Sequence, residues 1–596
     1  MKNLATLLAA ALIVTACGRD EPAPAEESPG TDASAAFAAL LDEHFERTLE
    51  LNPLFATSIG DDRYNDRYPN SIGPEHLARE RALTETFLDR LATIERAALS
   101  RQEQLSWDMF ELRLERALEG FRFPEHLAPV NQFYSATSSF VRLGSGKGLH
   151  PFKTVKDYDD FLSRIDGFVV WIDQAIRNMR EGMALGITQP RILMEKYLPQ
   201  LDSQLVDSAR ESGFWGPIEN MPDDFDAADR ERLAQAYERA IEDKILPAYA
   251  RMADFVRDEY IPAARETVGL YALPDGRDWY AYNVRVITTT ELSPAEIHDI
   301  GLAEVARIHE EMRGVMADVG FEGDLDAFFE YVYADPAFFF DEPEELIQAY
   351  RDMAEDIEAR AAGLFETFPK TPFEVRRVEP FREQSASKGS YQSGTPDGSR
   401  PGIFYANAYN VGVRPKWDMT SLFLHEAIPG HHFQISLARE NEDLPRFRRF
   451  GSFTAFVEGW GLYAEYLGRE LGVYEDPMDL FGTLNAELWR SIRLVVDTGI
   501  HAKGWTREQV LDFMYANSAV SETRAVAEAE RFMAIPGQAL AYKIGQLKIL
   551  EIRRDAEARL GEDFDVRAFH TEVLKDGPMP LSMLEAKIDA WVERQL

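Results

Sequence analysis

The stretch LFLHEAIPGHHFQ, residues 422–434, decides both the fold and the chemistry that the sequence predicts. It places a glutamate directly after a histidine, with further histidines a few residues later, in an apolar, helix-like context. In zinc hydrolases with this pattern, two imidazoles bind the metal and the glutamate on the same helix takes a proton from water. The stretch therefore predicts a helix on which His425 is a metal ligand and Glu426 is the general base.

The spacing of the histidines departs from the usual His-Glu-x-x-His, because Pro429 occupies the second histidine position. In a regular helix His425 and His432 share a face, but they are on the order of 10 Å apart along the axis, too far to bind one zinc. Pro429 removes a helical hydrogen bond and Gly430 tolerates unusual dihedral angles, so we expect a local bulge that loops out two residues. His431 is then the predicted second ligand, and His432 stays open as the alternative.

The third ligand is expected from the stretch FVEGWGLYAE, residues 456–465. An acidic side chain in such an apolar helix is costly unless it is paired or bound to a metal. We assign Glu458 to the metal and Glu465, seven residues later on the same face, to the orientation of a histidine. The alternative for each is a solvated helix glutamate.

The N-terminus is typical of a bacterial lipoprotein signal. Lys2 precedes a short apolar run over residues 4–14, which is too short to span a membrane. The run ends in VTAC, which resembles a lipobox, and this predicts that residues 1–17 are a signal peptide and that Cys17 is lipidated. An ordinary cleaved signal is the alternative. Gly18 resembles the pattern of outer-membrane lipoproteins of Gram-negative bacteria.

The composition excludes several partners and sites. The chain has 102 acidic and 64 basic residues, a formal net charge of −38. Such a field repels nucleic acid and anionic lipid, so we expect no nucleic-acid partner and membrane contact only through the N-terminal lipid. Because Cys17 is the only cysteine, an intramolecular disulfide and a cysteine-ligated metal are excluded.

At 596 residues the chain exceeds the size at which one core usually stays undivided. We therefore expect two lobes with a cleft between them, an N-terminal helical lobe over residues 36–290 and a catalytic lobe over residues 291–596. Residues 18–35, rich in Pro, Ala, Glu and Ser, are predicted to form a flexible tether. The predicted fold class is mainly α with a small β element at 403–407. Apolar residues spaced by three and four predict helices over 36–50, 74–97, 102–118, 155–182 and 226–259.

Several strings together resemble the bacterial DUF885 family. They are HEAIPGHHFQ (425–434), FVEGWGLYAE (456–465), IPGQALAYKIGQLKI (535–549), NPLFATSIGDDRYNDRYP (52–69) and PGIFYANAYN (401–410). That family is similar to the zinc peptidases with a glutamate as third ligand, the gluzincins. The resemblance implies a Zn²⁺ cofactor, a peptide substrate, and a two-lobed helical body with the metal at the floor of a deep cleft.

The chain is also similar, more distantly, to helical oligopeptidases that use tyrosines late in the chain to stabilise an oxyanion. This likeness implies that role for Tyr542, with a core tyrosine as an equally open alternative. It also implies that residues 402–407 form an edge strand that pairs with an extended peptide.

These observations predict a zinc metallopeptidase that hydrolyses short or flexible peptides in the cell envelope, anchored to the outer membrane and facing the periplasm. Two alternatives stay open. One is a non-catalytic envelope lipoprotein that retains the peptidase fold, which the distorted histidine spacing favours. The other is a zinc amidase acting on murein peptides.

Overall fold

The protein is mainly α with one small sheet, as the sequence predicts. The computed structural model describes residues 29–379, 383, 386–395, 398 and 400–596. The predicted signal peptide with Cys17 and residues 18–28 of the predicted tether lie outside the described residues. None of the helices in the described part of the chain combines the length and the apolar composition needed to cross a bilayer.

Helices make up most of the described chain, except between residues 362 and 418, where the strands lie. Their bounds are α1 Pro29–Leu51, α2 Pro53–Ser58, α3 Pro74–Leu91, α4 Arg101–Gly120, α5 Ala136–Gly144, α6 Val155–Leu185, α7 Arg191–Asp202, α8 Gly216–Glu219, α9 Ala227–Ala240, α10 Leu246–Phe255, α11 Ile261–Ala263, α12 Gly276–Thr288, α13 Pro294–Asp318, α14 Leu325–Ala334, α15 Pro343–Ala361, α16 Met419–Glu426, α17 His431–Glu440, α18 Arg446–Arg449, α19 Thr454–Leu471, α20 Pro477–Thr498, α21 Arg507–Asn517, α22 Glu522–Ala534, α23 Ala541–Leu560, α24 Val566–Leu574 and α25 Leu581–Gln595.

Helix α1 begins earlier than predicted. It starts at Pro29, so residues 29–35 of the predicted tether are helical. Proline is tolerated in the first turn of a helix, and residues 33–40 contain five alanines, the best helix formers. The richness in Pro, Ala, Glu and Ser therefore placed the end of the tether too late.

Helices lie at all five segments predicted from the periodicity. The last of these segments is not one continuous helix, because π-turns at residues 241–245 and 256–260 separate α9, α10 and α11. Each π-turn directly precedes a proline-containing turn, at Pro247 and Pro262. Proline has no N–H and its ring crowds the carbonyl four residues earlier, so the hydrogen-bond ladder shifts by one residue there.

The sheet has three short strands, β1 Phe373–Arg377, β2 Gly389–Gln392 and β3 Gly402–Ala406. Their order is β1-β3-β2, with β3 parallel to β1 and antiparallel to β2. The strand predicted around 403–407 is confirmed, but the prediction that it is an edge strand is wrong, since β3 is paired on both sides. The edge that lies against α16 is β2.

One apolar core joins helices from the beginning and the end of the chain. It contains residues of α1, α3 and α4 together with residues of α15 to α19 and α23 to α25, whereas residues 130–264 form a core of their own. The division at residue 290 stays a prediction. Helix α19 packs on α16 and α23, and it approaches α23 so closely that a Cβ on Gly459 would lie 2.5 Å from the backbone of Gly545.

Candidate metal centre

The His-Glu segment forms two helices rather than one helix with a bulge. Helix α16 ends at Glu426, and α17 begins at His431. Residues 427–430 between them contain a cis Ile428–Pro429 peptide bond. A Cβ on Gly430 would lie 2.0 Å from the carbonyl oxygen of His425, so only glycine fits where the chain turns back. The bulge prediction is wrong in its form, because proline ends the hydrogen-bond ladder of α16 outright.

This break brings together the three residues that the sequence assigned to the metal. His425 Nε2 lies 3.4 Å from Glu458 Oε2, and His431 Nε2 lies 3.7 Å from the same oxygen. One donor atom from each of the three residues lies within 4.8 Å of the others. Two ligands of a tetrahedral zinc with bonds of roughly 2.0–2.1 Å are about 3.4 Å apart, so the donor set and its spacing fit zinc.

His432 points elsewhere. Its Nδ1 is 2.9 Å from the Tyr391 hydroxyl and 3.4 Å from that of Ser436, and its ring packs on Phe373 at a centroid distance of 5.0 Å. Of the two neighbouring histidines, the structure therefore brings His431 to Glu458, which is the choice that the sequence favoured.

Glu465 holds the ring of His425 from behind. It is 1% exposed and accepts a 2.8 Å hydrogen bond from His425 Nδ1, which leaves Nε2 directed at Glu458. Its carboxylate also accepts from the Ser421 hydroxyl and lies 3.4 Å from Arg490 Nη2. A carboxylate behind a histidine fixes the tautomer and raises the basicity of the nitrogen that faces a metal.

Gly461 leaves the space that this ring occupies. A Cβ at Gly461 would lie 2.7 to 2.9 Å from the Cε1, Nδ1 and Nε2 atoms of His425. The backbone of α19 therefore forms the wall on which the imidazole lies, and any side chain at residue 461 would displace it.

Glu426 lies beside the edge strand of the sheet. One oxygen of its carboxylate accepts a 3.0 Å hydrogen bond from the backbone N–H of Tyr391 in β2. Burial raises the pKa of Glu426 to about 7, although the nearby His425 opposes this shift. A carboxylate with such a pKa is suited to accept and return a proton near neutral pH.

Of the three candidate ligands, His431 and Glu458 have lowered pKa values and His425 has a raised one. Burial lowers the pKa of His431 to about 4. Burial would raise the pKa of Glu458, but its hydrogen bond to His425 and the charges of both histidines lower it to about 2. Burial would lower the pKa of His425, but hydrogen bonds to Glu458 and Glu465 raise it to about 10. A metal ion entering here would therefore displace a proton from His425.

Tyr542 lies next to these residues, near the start of α23. Its ring is nearly parallel to that of His425 at a centroid distance of 6.3 Å, and its hydroxyl is 3.4 Å from Gln538 Nε2. The guanidinium carbons of Arg490 and Arg493 lie 6.0 and 4.9 Å from its ring centroid. Tyr542 is half-buried, and so its position is compatible with either a catalytic or a packing role.

Sequence reasoning missed three residues around the centre. Ser421 lies one helical turn before His425, so its position on the same face could have revealed it. Arg490 is a charge inside the apolar helix α20, the same signal that pointed to the glutamates of α19. Tyr391 lies in a Ser- and Gly-rich segment that gives no such signal.

Comparisons with known proteins agree with this fold and leave the activity open. A family model described as "Bacterial protein of unknown function (DUF885)" matches residues 53–588. Comparison with curated proteins gives no match. The structure is similar to that of a "putative lipoprotein" from Colwellia psychrerythraea, with a TM-score of 0.86 and 29% identity over 94% of this chain and 99% of that one. A "putative lipoprotein of unknown function" from Shewanella oneidensis shares the fold, with a TM-score of 0.72 and 17% identity over 92% of this chain and 99% of that one.

Proposed function

This chain belongs to the DUF885 family, whose function is unknown, and we propose that it is a zinc-dependent peptidase. The observation that carries the proposal is the convergence of His425, His431 and Glu458, with Glu426 directly beside them. A site that only bound a metal would need no carboxylate next to the ligands. Glu426 is nevertheless half-buried there and held by a backbone N–H.

The proposed reaction divides the work among few groups. A zinc ion bound by the three residues would lower the pKa of a water molecule and polarise the scissile carbonyl. Glu426 would take a proton from water as the water oxygen bonds to the scissile carbonyl carbon, and would pass that proton to the amine nitrogen as the C–N bond breaks. Tyr542 donates a hydrogen bond to the oxygen on which negative charge develops.

The burial of the site limits the substrates that it can take. His425 is 3% exposed and His431 is 9% exposed, so the surface of a folded protein cannot reach them. A short or flexible peptide can enter as an extended chain, and β2 beside Glu426 offers an edge with which such a chain can pair. We therefore propose peptides, rather than folded proteins, as substrates.

The proposed location is the cell envelope, with the chain anchored by Cys17 to the outer membrane and facing the periplasm. The lipobox-like VTAC sequence and the likeness to a "putative lipoprotein" support this location. Labelled fatty acid should enter the wild-type chain and not Cys17→Ser. Separation of the two membranes would then test the outer-membrane assignment.

The activity is tested with protein that lacks residues 1–17. We expect about one zinc per chain, cleavage of unblocked peptide libraries, and loss of cleavage on chelation with recovery on added zinc. Glu426→Gln should retain the metal and lose turnover by at least a hundredfold, because the group that moves the proton is gone. Glu442→Gln, an exposed glutamate just after α17, is the matched control. Wild-type turnover in Glu426→Gln would refute the mechanism.

The same preparation separates the rival functions. Zinc without cleavage of any peptide would favour an envelope protein that only binds. Cleavage of muropeptides in preference to linear peptides would favour the murein amidase, and mass spectrometry of the products measures this preference.

A further inference from the structure

A polar cavity adjoins the candidate metal centre, and basic side chains line it although the protein as a whole is acidic. Its volume is about 130 Å³, and it is lined by residues of α14, α16, α20 and α22 with the loops at 388 and 518–520. Four cationic side chains but a single carboxylate line it, namely Lys388, Arg490, Arg493, Arg524 and Asp418. The net charge of the whole chain is −38, so this concentration of positive charge requires a cause.

The cations are not fully neutralised. Three of the four have a carboxylate partner, in the pairs Lys388–Asp418, Arg490–Glu465 and Arg493–Glu528. Among the residues that the structure describes, Arg524 has no ion pair, and its guanidinium lies over the ring of Trp489 at 4.8 Å. The Nε–H groups of Arg490 and Arg493 are buried without an acceptor. The charge of Arg524 therefore remains available to a ligand, and the two unmatched buried donors show that the neighbouring arginines are not fully satisfied, which is costly.

The cavity and the metal centre share a wall. Ser421 and Arg490 line the cavity, and both contact Glu465, which in turn holds His425. Ser421 precedes His425 by four residues, about 6 Å along the helix axis. An extended peptide advances about 3.3–3.6 Å per residue, so two residues of such a chain span the distance between these two positions on α16.

We propose that this cavity binds a carboxylate of the peptide substrate, one or two residues beyond the scissile bond. The inference rests on the proposed peptidase function and names its substrate class. Guanidinium groups bind carboxylates through two parallel hydrogen bonds, and Arg524 supplies a charge that forms no ion pair with a carboxylate in the described part of the chain. The carboxylate can be the free C-terminus or the side chain of Asp or Glu. The volume is well below the roughly 300 Å³ of a typical ligand pocket, which suits a small terminal group.

Cleavage of three matched peptides tests the proposal and separates the two sources. The first ends in a free carboxylate, the second is its C-terminal amide, and the third is an amide with a glutamate at the last position. We expect wild-type kcat/KM on the free acid to exceed that on the plain amide by about tenfold to a hundredfold, since hydrogen bonds to charged groups have this strength. Recovery of the rate with the third peptide would identify a side-chain carboxylate as sufficient.

Substitution of Arg524 assigns the effect to the cavity. Arg524→Met should lower kcat/KM on the free acid about tenfold or more, mainly through KM, and change that on the plain amide less than twofold. Arg524→Lys should restore part of the loss, because it returns the charge without the planar fork. Arg313→Met, an exposed arginine on α13, is the matched control. Equal wild-type rates on acid and amide, or equal losses on both in Arg524→Met, would overturn the proposal.

A binding measurement keeps the test independent of turnover. Calorimetry measures the binding of N-acetyl-dialanine and of its amide to full-length Glu426→Gln protein. The same measurement is then made on the double variant Glu426→Gln, Arg524→Met. Tighter binding of the acid that depends on Arg524 supports the cavity even if no peptide is cleaved. Equal binding of acid and amide overturns it even if the zinc peptidase proposal holds.

Discussion

Removal of the charge behind His425 should weaken zinc binding without removing any ligand. Glu465 accepts from His425 Nδ1 at 2.8 Å and is 1% exposed, so water cannot replace it easily. Loss of such a partner typically costs tenfold to a hundredfold in metal affinity, about 1.4–2.7 kcal/mol. We expect Glu465→Gln at the lower end of that range, since an amide oxygen can still accept from the imidazole, and Glu465→Ala at the upper end.

The same substitutions should also destabilise the metal-free protein. Arg490 lies 3.4 Å from Glu465 and is largely buried, so its charge loses its partner. A buried charge left unpaired costs about 3–5 kcal/mol. Thermal unfolding without zinc measures this cost, and competition with a chelator of known affinity measures the zinc loss separately.

The control is Glu470→Gln, on the same helix, where the glutamate is exposed and pairs with Arg553. It should keep wild-type zinc affinity. Should both Glu465 variants fold and bind zinc as tightly as the wild type, the carboxylate behind His425 would have no part in holding a metal.

Three further changes test other parts of the structure. His431→Asn should lose zinc while His432→Asn retains about one per chain by elemental analysis, and the reverse result would exchange their roles. Gly461→Ala should lower zinc affinity in the chelator assay, because its methyl group would lie 2.7 Å from the ring of His425. Gly314→Ala is the control: there is open space around residue 314, so this variant should bind zinc normally and unfold at a slightly higher temperature. Burial raises the pKa of Asp497 to about 7, so the folded protein holds the proton of this carboxyl more tightly than the unfolded chain does. As pH rises from 4 to 8, up to about 4 kcal/mol of the free energy of unfolding is therefore lost. The stability gained by Asp497→Asn over the wild type should therefore grow with pH in thermal unfolding, and a constant difference would contradict the shift.

The local features of the structure were the ones that the sequence predicted well. The helices that start after Ser293 and Thr506 both begin with a capping box, a pattern that is visible in the sequence because the residues involved lie within four positions of each other. The choice of Glu458 rested on a charge in an apolar helix, which is also a local signal. Such signals need no knowledge of which helices meet.

The predictions that were wrong concern features that depend on contacts with distant parts of the chain. The residues of β3 predict a strand by themselves. Its central position in the sheet depends on pairing with β1 and β2, which lie outside residues 402–407. The end of α16 was predicted as a bulge, because Pro429 shows that a helix is disturbed and not how the chain continues. The turn is fixed by Trp460, whose indole N–H donates to the Pro429 carbonyl at 2.9 Å from another helix.

The balance of buried charge around Glu458 supports the proposed binding of a divalent cation. Helix α19 carries two glutamates toward the same region, and Arg490 pairs with Glu465. In the described part of the chain, the ion-pair partners of Glu458 are the imidazoles of His425 and His431 alone. Two neutral imidazoles leave one negative charge buried, which is costly, and without metal a proton on His425 offsets it. A divalent ion does the same with two positive charges and uses all three donor atoms at once. This arrangement supports the proposal that the cluster binds a small divalent cation.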